Sequence, residues 1–109
     1  MPETRKILAQ SMPNINTLTD VYTVGAATQS IVSSIMVCNT GSIDSTVRIS
    51  AAINGAADTG SQYIYYNLPL PIAETYAGTL GITLSPGDKI RAFVTTGSVS
   101  VNLFGVEIT

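Results

Sequence analysis

Hydrophobic and polar residues alternate along most of this chain with a period of two, the spacing that puts successive side chains on opposite faces of a β-strand. The clearest run starts at Thr46. Val47, Ile49, Ala51 and Ile53 fall on one side and Thr46, Arg48 and Ser50 on the other, which predicts a strand with one wet face. Lys89 to Thr95 repeats the signature, with Ile90, Ala92 and Val94 opposed to Lys89, Arg91, Phe93 and Thr95. Ser98 to Phe104 does so again, with Val99, Val101 and Leu103 opposed to Ser98, Ser100 and Asn102. The run from Ile31 to Cys38 differs, because Ile31, Ile35 and Val37 lie on one face while Val32, Met36 and Cys38 make the other apolar too. Apolar residues on both faces predict a central strand covered on both sides, by its own sheet partner and by a neighbouring subunit.

Turn signals separate these runs: Gly25-Ala26-Ala27, Asn39-Thr40-Gly41-Ser42, Asn54-Gly55, Asp58-Thr59-Gly60, Ser85-Pro86-Gly87-Asp88 and Thr96-Gly97. Pro86-Gly87 fits the centre of a type II turn, where proline presets φ and glycine supplies a positive one. Strands are therefore predicted at Lys6 to Gln10, Thr17 to Val24, Ser30 to Cys38, Thr46 to Ile53, Gln62 to Asn67, Thr75 to Leu84 with a break at Gly81, Lys89 to Thr95 and Ser98 to Ile108. Eight strands with frequent turns predict an all-β fold, an eight-stranded antiparallel β-sandwich of jelly-roll or immunoglobulin-like type. Neither proline of Leu68-Pro69-Leu70-Pro71 can donate to a ladder, so Pro69 and Pro71 should run along an edge or cross between sheets.

Residues 17–109 form the predicted sandwich and residues 1–16 an N-terminal arm. In that arm Ile7 and Leu8 are apolar enough to pair with a sheet edge, either of the same chain or of a neighbouring subunit by β-augmentation.

Composition sharpens the picture. Charged residues make up 11% of the 109 and hydrophobic residues 45%, against about 25% charged in an ordinary soluble domain. So sparse a charge suggests that part of the surface is covered by other chains. The net charge of −2 is scattered, and only Lys89 and Arg91 share a strand face among the five bases, so no nucleic-acid partner is expected. Cys38 stands alone, which leaves no intrachain disulfide and reads as a small buried hydrophobe. Met1 to Gln10 lacks the apolar stretch of a secretory signal, and no run is long enough to span a bilayer, so no membrane partner is expected.

Candidate chemistry is thin. The chain has no histidine, which removes any internal Ser-His or Cys-His nucleophile pair. Glu3, Asp20, Asp44, Asp58, Glu74, Asp88 and Glu107 sit mostly at predicted turns and strand ends, where solvated side chains account for them; two could still converge from distant loops as a glycosidase requires. No set of metal ligands has the right spacing, although Asp58 or Asp88 could join a carbonyl-rich calcium site. No glycine-rich loop leads into a helix to cradle phosphate. The reading is of a non-enzyme with no catalytic residue, cofactor or metal.

One segment could be a recognition surface: Tyr63-Ile64-Tyr65-Tyr66. Alternation puts Tyr63 and Tyr65 on one face, suited to sugar or protein contacts; alternatively Ile64 and Tyr66 fill the core while Tyr63 and Tyr65 pack on a neighbouring strand or subunit. With the arm and the proline segment, the candidate contact residues are Ile7, Leu8, Tyr63, Tyr65, Pro69 and Pro71.

Leu18-Thr19-Asp20-Val21-Tyr22-Thr23-Val24, Val37-Cys38-Asn39-Thr40-Gly41, Gln62-Tyr63-Ile64-Tyr65-Tyr66, Leu80-Gly81-Ile82-Thr83-Leu84 and Asn102-Leu103-Phe104-Gly105-Val106-Glu107-Ile108 resemble a group of small β-sandwich virion proteins of tailed bacteriophages, from about Lys6 onward. In that group a proline usually follows the Tyr-Thr-Val run, whereas Gly25 stands here. The resemblance implies a capsid decoration or cement protein, often trimeric, that stabilises the shell, or else a tail-tip or tail-fibre component that binds the host surface or links tail proteins. The partners it implies are copies of the same chain and the major capsid protein or tail proteins. It places the protein in the virion, assembled in the bacterial cytoplasm, and carries no catalytic residue.

Overall fold

A computed structural model describes residues 3–109. The alternating runs become eight strands: β1 (Glu3–Ser11), β2 (Thr19–Thr23), β3 (Gln29–Asn39), β4 (Ser45–Ala52), β5 (Tyr63–Leu70), β6 (Thr75–Leu84), β7 (Lys89–Val94) and β8 (Val99–Ile108). They form two four-stranded antiparallel sheets, β1-β8-β3-β6 and β2-β7-β4-β5. The pairs β1/β8, β2/β7, β3/β6 and β4/β5 nest like one long hairpin rolled up, and only the β4–β5 connection stays within a sheet. This is the jelly-roll order, which settles the choice between the two predicted sandwich types.

The core lies where alternation puts it. Val47, Ile49, Ile90, Ala92, Val94, Val99, Val101 and Leu103 are fully enclosed between the sheets, each large aliphatic side chain contributing roughly 1.5–3 kcal/mol. The Pro86-Gly87 turn is type II as expected, with Gly87 at φ 87° and the Asp88 amide donating to the Ser85 carbonyl at 3.0 Å. Asp88 then accepts from the Ser85 and Asn54 amides at 2.8 Å each. Its carboxylate is thus occupied as a turn clamp.

Three departures from strict alternation matter. In β3 the ladder slips between Val32 and Ser34 against both neighbours, so the inward set changes from Ser30 and Val32 to Ile35, Val37 and Asn39. This β-bulge exchanges Ile31 and Val32 between the faces, yet both faces stay apolar: Val32, Ile35 and Val37 point inward and Ile31, Met36 and Cys38 outward, with Cys38 only half-buried. In β4 the strand ends at Ala52, which leaves Ile53 79% exposed instead of in the core. The face expected to be wet is also partly covered: Ser50 and Ala52 are buried on it, under the segment that carries the two short 3-10 turns Ile53–Gly55 and Gly60–Gln62. Finally, β6 is not broken at Gly81; it runs on, with its ladder slipping between Thr79 and Ile82.

Two polar staples tie the sheets together. At one end the buried Tyr22 hydroxyl donates to Glu107 at 2.6 Å and lies 2.7 Å from Ser30 Oγ, while Lys6 Nζ reaches Glu107 at 3.0 Å. At the other, Asn39 donates to the Ile43 and Leu70 carbonyls at 2.8 and 2.9 Å and accepts from the Gly41 amide at 2.9 Å.

Candidate assembly surfaces

Each sheet has an outer face, and the two differ in chemistry. Register places Ile31, Met36 and Cys38 of β3, Asn102, Phe104 and Val106 of β8, and Thr75, Ala77, Thr79 and Thr83 of β6 on the outside of the first sheet. Among the described residues, β3, β8 and β6 put no charged side chain on this face; Glu107 turns inward to the Tyr22 staple. Charge enters only at the β1 margin, where Arg5 stands opposite Val106 beside Ile7 opposite Phe104. Ile7 is 49% exposed and Met36 38%.

The outer face of the second sheet is polar and aromatic. Arg48 of β4 lies 4.5 Å from the Tyr66 ring centre and 5.0 Å from that of Phe93, and its Nε donates to Asn67 Oδ1 at 2.7 Å. Such cation–π stacking holds a guanidinium flat against its neighbours. Tyr63 meets Tyr66 edge-to-face at 5.0 Å and donates to Asp58 at 2.6 Å, a bond that raises the Tyr63 phenol above its usual range. Further along, Asp20 bridges Lys89 at 2.8 Å and Arg91 at 3.0 Å, and the Lys89 hydrogen bond is the main influence holding its carboxyl below the usual range. Arg91 also donates to the Ala56 and Gly55 carbonyls at 2.6 and 3.0 Å, which anchors the segment lying over Ser50.

The six candidate contact residues do not converge. β1 folds onto β8 of its own chain, and the slip between Ile7 and Ala9 turns Leu8 into the core while Ile7 faces out. Residues 1–2 of the predicted arm lie outside the described residues. Tyr63 and Tyr65 are separated by bulges in β5, where two extra residues are accommodated against β4 between Val47 and Ser50. Tyr65 turns toward the core and stacks edge-to-face on Tyr76 at 5.3 Å, with its hydroxyl buried and without a partner. Tyr66, one of the two core alternatives, is instead 60% exposed. Pro69 pairs opposite Thr46 on the edge strand β5, and Pro71 begins the crossing to β6 in the other sheet, so the proline segment takes both predicted roles.

Alternation missed Arg48 and Phe93 as one unit; the cue lay in their equivalent outward positions on β4 and β7, which become neighbours only once those strands pair.

Among the described residues, no group of three or more metal-ligating side chains gathers and no helix is long and apolar enough to cross a membrane. Comparison of the chain with protein-family models, curated proteins and solved structures returns no match.

Proposed function

We propose that this chain is a non-enzymatic building block of a tailed-bacteriophage particle, a capsid decoration protein that associates with copies of itself and stabilises the shell. The observation that carries the reading is the uncharged outer face of β3, β8 and β6. A charge-free sheet face suits burial against another protein, since removing it from water strands no ion. The carboxylates add support: Asp20, Asp44, Asp58, Asp88 and Glu107 are each engaged in a structural hydrogen bond or ion pair. The resemblance of the sequence segments supplies the particle.

The test is immunogold labelling of intact particles, together with shell heat stability measured with and without the protein. Labelled shells and a higher disruption temperature are expected; unlabelled particles would defeat the reading. A second reading, a tail-tip or fibre module that contacts the host surface, is favoured by the Arg48–Tyr66–Phe93 stack with Tyr63 beside it. In that case label appears on tails, and Tyr66→Ala with Phe93→Ala abolishes adsorption without lowering shell stability.

A further inference from the structure

Four strand edges border the two sheets, and three are blunted. β1 carries Glu3, Arg5 and Lys6. β2 is five residues long and slips at Val21. β5 is bulged twice, has Asn67 at φ 53° and contains Pro69. Charges, shortness, bulges and proline are the devices by which natural sheets keep their edges from pairing with other chains. β6 is ten residues long with no charge and no proline, and its single slip at Leu80–Gly81 leaves Thr75–Thr79 regular.

The Asn39 amide donates to the Glu74 carbonyl at 2.9 Å, which fixes the phase of the β3–β6 ladder. Counting in register from there, Tyr76 and Gly78 spend their backbone groups on β3, while Thr75, Ala77 and Thr79 aim theirs outward. All three are exposed. Beside them Tyr76 is 41% exposed and Ile72 49%.

We infer that β6 pairs antiparallel with β6 of a second copy of this chain about a two-fold axis at Ala77, extending the β1-β8-β3-β6 sheet to eight strands. The occupant follows from the edges: the other three are protected, so an open β6 finds its unblocked counterpart only on another β6, and a like-with-like antiparallel contact closes as a pair. Thr75 then faces the partner's Thr79 and Ala77 the partner's Ala77, making about six interchain backbone bonds. Tyr76 falls opposite the partner's Gly78, where the Tyr65 hydroxyl of that chain takes the place a Cβ would fill, so the incoming tyrosine lies beside that hydroxyl. A side wall roughly 33 Å long and about 20 Å deep offers on the order of 600 Å² per copy, near the lower bound for a specific dimer. Pairing also joins the two uncharged outer faces into one. The inference deepens the self-association in the proposed function but does not depend on the particle.

Sedimentation of the full chain at about 100 μM, a concentration that would reveal even weak pairing, should give a dimer. Hydrogen exchange should then show Thr75, Ala77 and Thr79 amides protected at high concentration and exchanging freely on dilution. Ala77→Pro removes an amide that β3 does not use and should weaken association by at least roughly 30-fold. Thr79→Lys, which places a charge on the edge without touching the backbone, should weaken it too, with the far-UV spectrum of both variants unchanged. A monomer, a three-fold species, or a dimer whose three amides stay unprotected would overturn the inference. A dimer that fails to label shells defeats only the particle assignment; a shell-bound monomer defeats only the pairing.

Discussion

The Tyr22–Glu107–Lys6 staple sets how folding stability responds to pH. Accepting from the Tyr22 hydroxyl, and next from Lys6, holds the Glu107 carboxyl below the usual carboxylate range. Its contribution is complete above the ordinary range and is lost as pH falls through the lowered folded value. Burial, reinforced by Glu107, pushes the Tyr22 phenol up to about 12 from 10.0, so its contribution is intact below pH 10.0 and is lost as pH rises toward about 12. Thermal midpoints should therefore form a plateau between the ordinary carboxylate range and pH 10.0, falling on both sides. Tyr22→Phe should lower the unfolding free energy on the plateau by about 1–2 kcal/mol and flatten both falls, because it removes the bond both groups share. Opposite behaviour is expected at two buried oxygens that lack partners, Ser50 Oγ and Tyr65 Oη. Ser50→Ala and Tyr65→Phe should each leave denaturant stability unchanged or raise it by up to about 1 kcal/mol, since an unsatisfied polar atom costs its desolvation. A loss above that size at either site would contradict the enclosure described here.

At the scale of elements, the bulges dominate. β1 and β3 both slip against β8 near Phe104 and Gly105, and a Cβ at Gly105 would lie 2.0 Å from the Ile31 carbonyl oxygen. Gly105→Ala should cost more than about 3 kcal/mol in urea unfolding, because backbone must move to admit one methyl group. Gly81→Ala meets nothing within 4 Å and should change stability by less than about 0.5 kcal/mol. The same bulges mark where sequence reading stops. β4, β7 and β8 keep a clean period of two through their buried runs, so the inward residues Val47, Ile49, Ile90, Ala92, Val94, Val99, Val101 and Leu103 are legible without coordinates. One extra residue in β3 and two in β5 exchange faces along the strand, and alternation puts Val32 opposite Ile35 and Tyr63 beside Tyr65 when the chain does neither. Pairing partners are less legible still. Nothing local to Lys6 or Glu107 announces that they meet across 101 positions.

At the scale of the molecule, charge is sorted by face. Arg48, Lys89, Arg91 and Asp20 gather on or beside the outer face of β2-β7-β4-β5, while the outer face of β3, β8 and β6 has none. Low charge is visible in composition, but its segregation exists only after β3, β6 and β8 come together. If the neutral face docks on a shell, Met36→Lys should leave the melting temperature within about 2 °C of the parent, being a surface change, yet reduce retention on particles sharply. Retention equal to the parent would move the docking surface elsewhere.

The strand made last of the eight, β8, lies in the interior of its sheet between β1 and β3. During synthesis, therefore, β1 must wait for a partner about a hundred residues downstream, with Leu8 still uncovered. Closure of so non-local a pairing belongs to the millisecond-to-second class of folding reactions. A nascent chain halted before Val99 would hold three strands of that sheet with the seat between β1 and β3 empty, which makes the interrupted polypeptide, rather than the finished one, the form most in need of a chaperone.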